Sequence, residues 1–390
     1  MSERKLASIQ RIIDIQPIPG ADKIEVSTVL GWKCVVLKNQ FKIGDACVYI
    51  EIDSIVPTDK PVFEFMKERK GRVRTIKLKQ QISQGLVLPW TILPLKKKGC
   101  SCFEHQSQYN EGDDVTEVLS IVKYDPEGEK EMSGTPKKKK NFFHRFMLRF
   151  LWYRKVFGSS RERFNWPDFL IKTDETRLQC IPKVLERIKS KIIYITEKID
   201  GQSASYYIYN GKFGVCSRNL GISPKDTAMA RYWQVARDYN IEDGLRSLSQ
   251  VIGIKNIAIQ CENAGPGIQG NKLKLDKVYP FVFNIFDIDK RVYFNLARNI
   301  ELIELRGWKN VPLLEESGAP DWSIDEWLKY ATRNSVLNSN VKAEGIVVRL
   351  AEDMVSRVSF KVINNEFLLK YEKMDEEIQK EFKEKGGKQL

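Results

Sequence analysis

A lysine followed closely by an acid and a glycine ends one apolar stretch of the chain, in Lys198-Ile-Asp-Gly201. A lysine amine becomes a nucleophile once its proton is removed, and a carboxylate two residues away can influence that proton or hold a cation. The tetrapeptide alone is weak evidence, because such a pattern arises by chance in about one chain in ten of this length. Its meaning therefore depends on the residues further along the chain.

Further charged and aromatic residues come after it in a fixed order, most of them at the ends of apolar stretches. They are Arg218, Glu262, Phe286, Glu344 and Lys361. The chain has only two histidines, which leaves little room for a histidine-based triad or a multi-histidine metal site. Lysine and carboxylate chemistry must therefore carry any catalysis.

The elements that position these residues are predicted from alternation and turn signals. After residue 165 the chain alternates strands with helical stretches at 226–239 and 298–305, which indicates a mixed α and β domain. The strands are predicted at 192–199, 203–209, 258–261, 278–287, 345–349 and 358–362.

The first 125 residues contain short alternating strands separated by glycines, which favours a small closed β-barrel. Strands are predicted at 7–18, 24–29, 33–37, 46–52, 73–79 and 82–88. Arg74, Lys77 and Lys79 lie among apolar positions there, and the pattern fits either a nucleic-acid contact or a solvated barrel face.

Between these regions, residues 126–164 carry eleven Lys or Arg against four Glu, a net charge of +7. Apolar and basic residues recur at helical spacing from Phe142 to Lys155, as in a basic amphipathic helix. Such a helix could pack on its own barrel, tether RNA, or dock on a membrane or protein. We therefore predict three regions: a barrel at 1–125, a basic aromatic linker or insertion at 126–164, and a larger domain at 165–390.

Composition narrows the class of protein. The 390 residues carry a net charge of +13, which favours a polyanionic partner such as nucleic acid. No apolar run approaches the about 20 residues of a membrane-spanning helix, and the start shows no signal peptide. Seven scattered cysteines argue against a disulfide framework. We expect an intracellular protein of the cytoplasm or nucleus.

The ordered motifs resemble those of the covalent nucleotidyltransferases, namely polynucleotide ligases and mRNA capping enzymes. Within that group the chain resembles the ATP-dependent RNA ligases of the Deinococcus and Naegleria type, in which an OB-fold module precedes the ligase domain. Gly265-Pro-Gly-Ile-Gln269 favours RNA ligases over the other members, and residues 4–10, 44–51 and 80–85 fit the module. The resemblance implies an α+β fold, with an OB-fold β-barrel followed by antiparallel sheets with flanking helices.

The resemblance also implies roles for the site residues. Lys198 would be the nucleophile that forms lysyl-AMP with ATP, and Asp200, Glu262 and Glu344 would hold Mg²⁺ or Mn²⁺. The residues implied in nucleotide binding are Glu197 and Ile199 through their backbone, Arg218, Glu262, Phe286 as the purine-stacking ring, and Lys361 at the α-phosphate. The family often has a second lysine two residues after the first. Val362 and Ile363 follow Lys361 here, so Lys370 is assigned that second role.

These inferences predict an ATP-dependent RNA ligase that joins 3′-hydroxyl and 5′-phosphate ends at nicks in duplex RNA during RNA repair. A GTP-dependent capping guanylyltransferase or a DNA ligase shares the lysyl-nucleotide step and is the rival enzyme. A non-catalytic RNA-binding protein that uses its OB-fold module is the rival from another class, and the intact Lys198, Glu262 and Glu344 speak against it.

Overall fold

A computed structural model describes residues 5–94, 109–124, 163–352 and 358–371. The described residues form two compact units. The first contains residues 5–94, 109–124, 177–183 and 365–371, and the second contains 163–176, 184–352 and 358–364. The three regions predicted from composition are each continuous in sequence, whereas in the structure residues 177–183 and 365–371 belong to the first unit. The basic segment from Phe142 to Lys155 lies outside the described residues.

The first unit is built on a five-stranded antiparallel sheet of order β3-β2-β1-β4-β9. Its long first strand has a bulge between Ile12 and Asp14, which lets the strand bend and pair with β4 through one half and β2 through the other. The strands are β1 Ala7–Pro17, β2 Ile24–Val29, β3 Trp32–Leu37, β4 Ala46–Ile50 and β9 Leu86–Pro89.

Smaller elements complete this unit. β5 Ser54–Ile55, β6 Arg72–Val73 and β10 Val122–Lys123 form a three-stranded sheet, while β7 Thr75–Leu78 and β8 Gln81–Gln84 form a hairpin. Two 3₁₀ helices span Pro61–Arg69 and Trp90–Ile92, and a third, Leu178–Cys180, lies in the returning segment 177–183. The interior holds Trp32 and Tyr49, both fully buried, as expected of aromatic residues at inward-facing strand positions.

The second unit contains two sheets. The larger has the order β11-β15-β14-β13-β16-β17-β18, with β19 pairing parallel to β17, and every other pair is antiparallel. Its strands are β11 Arg163–Asn165, β13 Gln202–Tyr209, β14 Lys212–Cys216, β15 Leu220–Ile222, β16 Ile257–Ala264, β17 Tyr279–Asp287, β18 Val292–Tyr293 and β19 Lys309–Asn310.

The smaller sheet has the order β20-β12-β21-β22. Its strands are β12 Ile192–Lys198, β20 Leu313–Gly318, β21 Gly345–Leu350 and β22 Ser359–Ile363. The helices of this unit are α1 Val184–Ile188, α2 Ala230–Asp238, α3 Ile241–Ile252, α4 Leu296–Leu305 and α5 Ile324–Ala331. One further 3₁₀ turn spans Gln269–Asn271.

Helices pack on one face of each sheet, and residues 166–171 cover part of the other face of the larger sheet. Residues of α2 and α3, such as Val235 and Leu248, pack with Ile259 and Ile285 of the larger sheet. On the smaller sheet, the Trp327 ring of α5 meets Phe360 of β22 edge to face, with ring centroids 5.5 Å apart. The unit is therefore α+β with antiparallel sheets, as predicted.

Several helix ends are fixed by recognisable chemistry. α5 begins with a capping box in which Ser323 and Glu326 bond each other's backbone N–H, and α3 ends at Gly253 in the left-handed conformation that glycine adopts without strain. Within the described residues, no helix is long and apolar enough to cross a membrane.

Candidate active site

Lys198 is the last residue of β12 and lies on the face of the smaller sheet opposite to α5. Directly paired residues of antiparallel strands point the same way, so Lys198 shares this face with Thr196, Val347 and Lys361. Gly345 pairs with Lys198 itself, and a Cβ atom there would lie 2.2 Å from the Val362 carbonyl oxygen. The glycine of Glu344-Gly345 is thus required by close approach of two strands.

The Lys198 amine is held by a carboxylate. Its Nζ donates to Glu344 Oε2 at 2.6 Å, and both side chains are largely buried. Burial alone would lower the pKa of Lys198, but the charges of Glu344, Glu262 and Asp200 outweigh burial and raise that pKa above its ordinary value. These carboxylates therefore favour the protonated form of the amine, and offsetting their negative charge favours the nucleophilic form.

Asp200 lies two residues beyond Lys198 and forms an ion pair with a residue that the sequence reasoning missed. Lys272 Nζ is 2.8 Å from Asp200 Oδ2. Burial raises the pKa of Asp200, the charge of Glu344 raises it further, and Lys272 opposes both effects. Gly201 then turns the chain so closely past Asn263 that a Cβ atom would lie 2.4 Å from its carbonyl oxygen, which explains the glycine of the tetrapeptide.

Glu262 comes from the larger sheet. It lies on β16, opposite Ser203 of β13 and Phe281 of β17, on the face that α2 and α3 do not cover. Its charge acts on Lys198 of the smaller sheet, so the two sheets bring Lys198, Asp200, Glu262 and Glu344 together. Residues 146 positions apart in sequence thus meet in one site.

Arg218 follows β14 and is held by a carboxylate that the sequence analysis did not single out. Its Nη2 and Nε atoms lie 2.7 Å and 3.2 Å from the two oxygens of Asp174, which is a bidentate arrangement. Asp174 thus fixes the orientation of the Arg218 guanidinium, and a guanidinium keeps its positive charge at any workable pH.

The side chains of Glu197 and Ile199 point away from Lys198, as strand alternation requires. Glu197 is buried and accepts hydrogen bonds from the Ser335 hydroxyl and the Val336 N–H, and Ile199 packs in an apolar cluster with Phe281. Burial raises the pKa of Glu197 although these hydrogen bonds oppose the rise. Only the backbone of these two residues is therefore suited to face a nucleotide.

The two predicted phosphate-contacting lysines belong to different units. Lys361 lies half-buried on the Lys198 face of the sheet, and its backbone N–H donates to the Thr176 carbonyl at 2.9 Å. Lys370 belongs to the first unit, in helical residues 365–371, with Nζ 5.5 Å from the Tyr371 ring centroid. The role of Lys370 stays a prediction.

The structure corrects the predicted stacking residue. Phe286 has no exposed surface and packs with Tyr207, Cys216 and Tyr293, so its ring has no free face for a purine. Phe283 lies in a bulge of β17, where it has no partner residue on β16, and it is half-buried with the Arg349 guanidinium 5.6 Å from its ring centroid. Of Phe281, Phe283 and Phe286 on this strand, Phe283 is therefore the one whose ring is not buried, and it lies next to Arg349 of the smaller sheet.

Arg349 belongs to a buried polar group that sequence reasoning also missed. Its guanidinium donates to Glu175 at 3.0 Å and 3.3 Å, and the Ser359 hydroxyl donates to the same carboxylate. Arg349 and Ser359 pair with each other two positions away from the Val347–Lys361 pair. They therefore lie on the same sheet face as Lys361, and this spacing of two residues is the sequence signal that could have identified them.

The carboxylates of the site can be compared with the needs of a divalent ion. Across the residues that the structure describes, no three histidine, cysteine or carboxylate side chains converge as a metal-binding group, and Glu344 and Asp200 are each paired with a lysine. Two carboxylates that repel each other nevertheless suit Mg²⁺ or Mn²⁺, because such ions keep several waters and use few protein ligands beside substrate phosphates. The residues present fit such an ion.

Two family models match the chain, one for each part of the predicted architecture. An OB-fold domain model matches residues 6–90, and an RNA ligase model matches residues 191–363. A search of curated proteins found no match.

Solved structures of one enzyme match almost the whole chain. Naegleria gruberi RNA ligase with PPi has a TM-score of 0.77 and 32% identity, over 95% of this chain and 100% of that chain. A lysine-to-alanine mutant of the same enzyme with ATP and Mn has a TM-score of 0.73 and 31% identity, over 93% and 98%. A glutamate-to-alanine mutant with AMP and Mn has a TM-score of 0.74 and 32% identity, over 94% and 98%. The predicted fold, an OB-fold followed by a ligase domain, is confirmed.

Proposed function

This chain belongs to the ATP-dependent RNA ligases, and from that membership we propose that it joins 3′-hydroxyl and 5′-phosphate ends at nicks in duplex RNA, as a step of RNA repair. The observation that carries the proposal is the placement of the Lys198 amine among three carboxylates between two sheets. The ATP dependence follows from the family, and structures of the Naegleria enzyme with ATP and Mn support a divalent ion.

In the first step, Nζ of Lys198 releases a proton to solvent, attacks the α-phosphorus of ATP and loses a second proton as the N–P bond forms. An N–P bond forms, the bond from the α-phosphorus to the α–β bridging oxygen breaks, and pyrophosphate leaves with that electron pair. The product is lysyl-AMP. The ion pair with Glu344 favours the protonated amine, so Lys198 stays unreactive as long as the Glu344 carboxylate is paired with it.

Glu344, Asp200 and Glu262 would hold Mg²⁺ or Mn²⁺ beside the phosphates, in part through the waters that such ions keep. When bound, such an ion supplies positive charge that neutralises the triphosphate and its transition state. The contribution of the three side chains is to keep negative charge within reach of Lys198, as the raised pKa of its amine indicates. In-line positioning and charge neutralisation provide most of the catalysis in phosphoryl and nucleotidyl transfer.

Adenosine is bound by residues of both sheets. We propose that Phe283 rather than Phe286 stacks on the adenine, because Phe283 is the ring with accessible surface. The backbone at Glu197 and Ile199 reads the adenine edge. Arg218 and Glu262 contact the ribose and α-phosphate region, and Lys361 contacts the α-phosphate from its position on the Lys198 face.

The later steps transfer AMP to the RNA 5′-phosphate and then join the strands. The RNA 5′-phosphate oxygen attacks lysyl-AMP, and the N–P bond breaks. The 3′-hydroxyl then attacks the activated 5′-phosphate, and AMP leaves. The excess positive charge of the chain favours an RNA partner, and we propose the cytoplasm or nucleus as the place of action.

The test is sealing of nicked duplexes assembled from RNA and DNA strands in every combination, with labelled ATP or GTP in parallel. We expect label from ATP on the protein and sealing of nicks whose 3′-hydroxyl strand is RNA. Label from GTP alone, or equal sealing of nicks in all-DNA duplexes, would contradict the proposal.

A further inference from the structure

Two lysine–carboxylate pairs lie side by side at the site. Lys198 is 2.6 Å from Glu344, with side-chain exposures of 24% and 16%, and Lys272 is 2.8 Å from Asp200, with exposures of 23% and 16%. The proposed function uses three of these residues. Lys272 has no part in it, although it is almost as close to its carboxylate as the nucleophile is and equally well shielded.

The surroundings show why a second cation is needed. Glu344, Glu262 and Asp200 all act on Lys198, and Glu344 also repels Asp200. Three carboxylates thus surround one nucleophilic lysine, and Lys272 offsets part of the remaining negative charge. A triphosphate that enters the same space brings further negative charge, so the substrate and Asp200 must compete for Lys272.

Lys272 projects from an anchored loop. The Leu273 side chain is buried, and its carbonyl accepts a hydrogen bond from the Asn338 amide at 3.1 Å. The Asn271 side chain donates to the Leu275 carbonyl at 2.9 Å and accepts from the Leu275 N–H at 3.0 Å. The base of Lys272 is therefore fixed while its four-carbon stem can still reorient. Lys274, two residues further on, is exposed and offers a matched control.

We propose that Lys272 binds the pyrophosphate portion of ATP and stabilises it as the leaving group. Lys272 exchanges Asp200 for phosphate oxygens when ATP enters, and the released Asp200 carboxylate would then be available to hold a divalent ion. As the N–P bond to Lys198 forms, the α–β bridging oxygen takes the electron pair of the breaking bond, and the Lys272 ammonium offsets the added negative charge on pyrophosphate. The inference rests on the proposed lysyl-AMP step.

Three assays on the full chain test this role in Lys272→Ala, Lys272→Gln, Lys272→Arg and Lys274→Ala. The first is the rate of lysyl-AMP formation against ATP concentration. The second is ATP release from preformed lysyl-AMP protein against pyrophosphate concentration. The third is sealing of chemically pre-adenylylated RNA, which needs neither ATP nor pyrophosphate.

We expect Lys272→Ala and Lys272→Gln to lower kcat/KM for lysyl-AMP formation at least tenfold. Both variants should also raise, at least tenfold, the pyrophosphate concentration that gives half the maximal rate of ATP release. Sealing of pre-adenylylated RNA should stay within threefold of the parent. Lys272→Arg should recover part of the pyrophosphate affinity, and Lys274→Ala should match the parent throughout.

The result would be different if Lys272 only held the Asp200 side chain in position. The pyrophosphate concentration for half the maximal rate would then stay at the parent value while all three assays lost activity together, and that outcome would overturn the proposal. If Lys272→Ala does not fold, as judged by its thermal unfolding, Lys272→Gln decides because it keeps most of the stem and removes the charge. Failure of the proposed function itself is separate, since the parent chain would then form no lysyl-AMP.

Discussion

The two units of the chain are both built from antiparallel sheets, but the most shielded of the described ion pairs lie in the second unit. In the first unit, Arg11–Glu111 lies on the surface, with side chains 58% and 55% exposed, and Arg177–Asp53 is partly shielded, with side chains 11% and 30% exposed. In the second unit, Arg349–Glu175 is buried, with both side chains 8% exposed, and the Lys198–Glu344 and Lys272–Asp200 pairs are partly shielded, with no side chain more than 24% exposed.

This difference indicates where chemistry takes place. Exposed ion pairs contribute about 0–1 kcal/mol, whereas shielded charges cost desolvation free energy and are weak contributors to stability. A set of shielded pairs around one lysine is therefore better explained by reactivity than by folding. The second unit is expected to carry nucleotide chemistry, and the first is expected to carry contacts to RNA.

The largest expected effect is at the nucleophile. Lys198→Ala and Lys198→Arg should each reduce sealing of RNA with a 5′-phosphate at least about a thousandfold, about 4 kcal/mol of barrier, because no amine remains that can lose its proton. Gel assays of nick sealing measure this effect. Lys191→Ala is the control, since Lys191 is exposed immediately before the same strand, and sealing above one-hundredth of the parent rate by Lys198→Ala would remove Lys198 from its role.

The neighbouring carboxylates come next. Glu344→Ala and Asp200→Ala should each lower the rate of lysyl-AMP formation at least tenfold, about 1.4 kcal/mol or more, because charge neutralisation beside the phosphates is lost. Rates measured across magnesium and manganese titrations check this. Asp321→Ala, which removes a 90%-exposed carboxylate, should have no effect, and normal rates for both site variants would exclude them from the site.

Two phenylalanines of one strand separate binding from stability. Phe283→Ala should raise KM for ATP about tenfold, since base stacking on an aromatic ring contributes about 1–3 kcal/mol. Phe286→Ala should instead lower the free energy of unfolding by about 3–5 kcal/mol, because it empties a fully buried position. Steady-state kinetics and urea unfolding measure the two effects, and the reverse assignment would restore Phe286 as the stacking residue.

A smaller effect is expected from the hairpin of the first unit. Lys77 and Lys79 are exposed at its tip, so replacing both with Ala should weaken RNA binding severalfold. The slope of the logarithm of the binding constant against the logarithm of salt concentration should become shallower by about 0.9 for each phosphate contact that is lost. Lysyl-AMP formation should not change. Binding curves that coincide with the parent at every salt concentration would leave the hairpin as a solvated face.

Much of the fold could be predicted, because each sheet has one face buried and strand alternation reports that face. The 24–29 strand matches the structure, and the strand that carries Lys198 differs by one residue at its end. Helix 226–239 begins later than predicted, at Ala230, because Asp226 accepts hydrogen bonds from the N–H groups of Ala228 and Met229 in a turn.

The site could be predicted in part. Motif order indicated Lys198, Asp200, Glu262 and Glu344, and the structure brings them together. Lys272 and the other new partners, Asp174 and Glu175, could not be identified, because their contacts depend on which loops the two sheets bring together. The choice between Phe283 and Phe286 depends on a bulge, and a bulge changes which side chains face inward without a clear sign in the sequence.

The central claim is that Lys198 carries AMP. The most direct measurement is mass spectrometry of the full chain after incubation with ATP and a divalent ion, followed by peptide mapping under conditions that preserve an acid-labile N–P bond. We predict a mass increase of one AMP, located on the peptide that contains Lys198 and absent from Lys198→Ala. An AMP group on a different lysine, or an equal mass increase in Lys198→Ala, would contradict this claim.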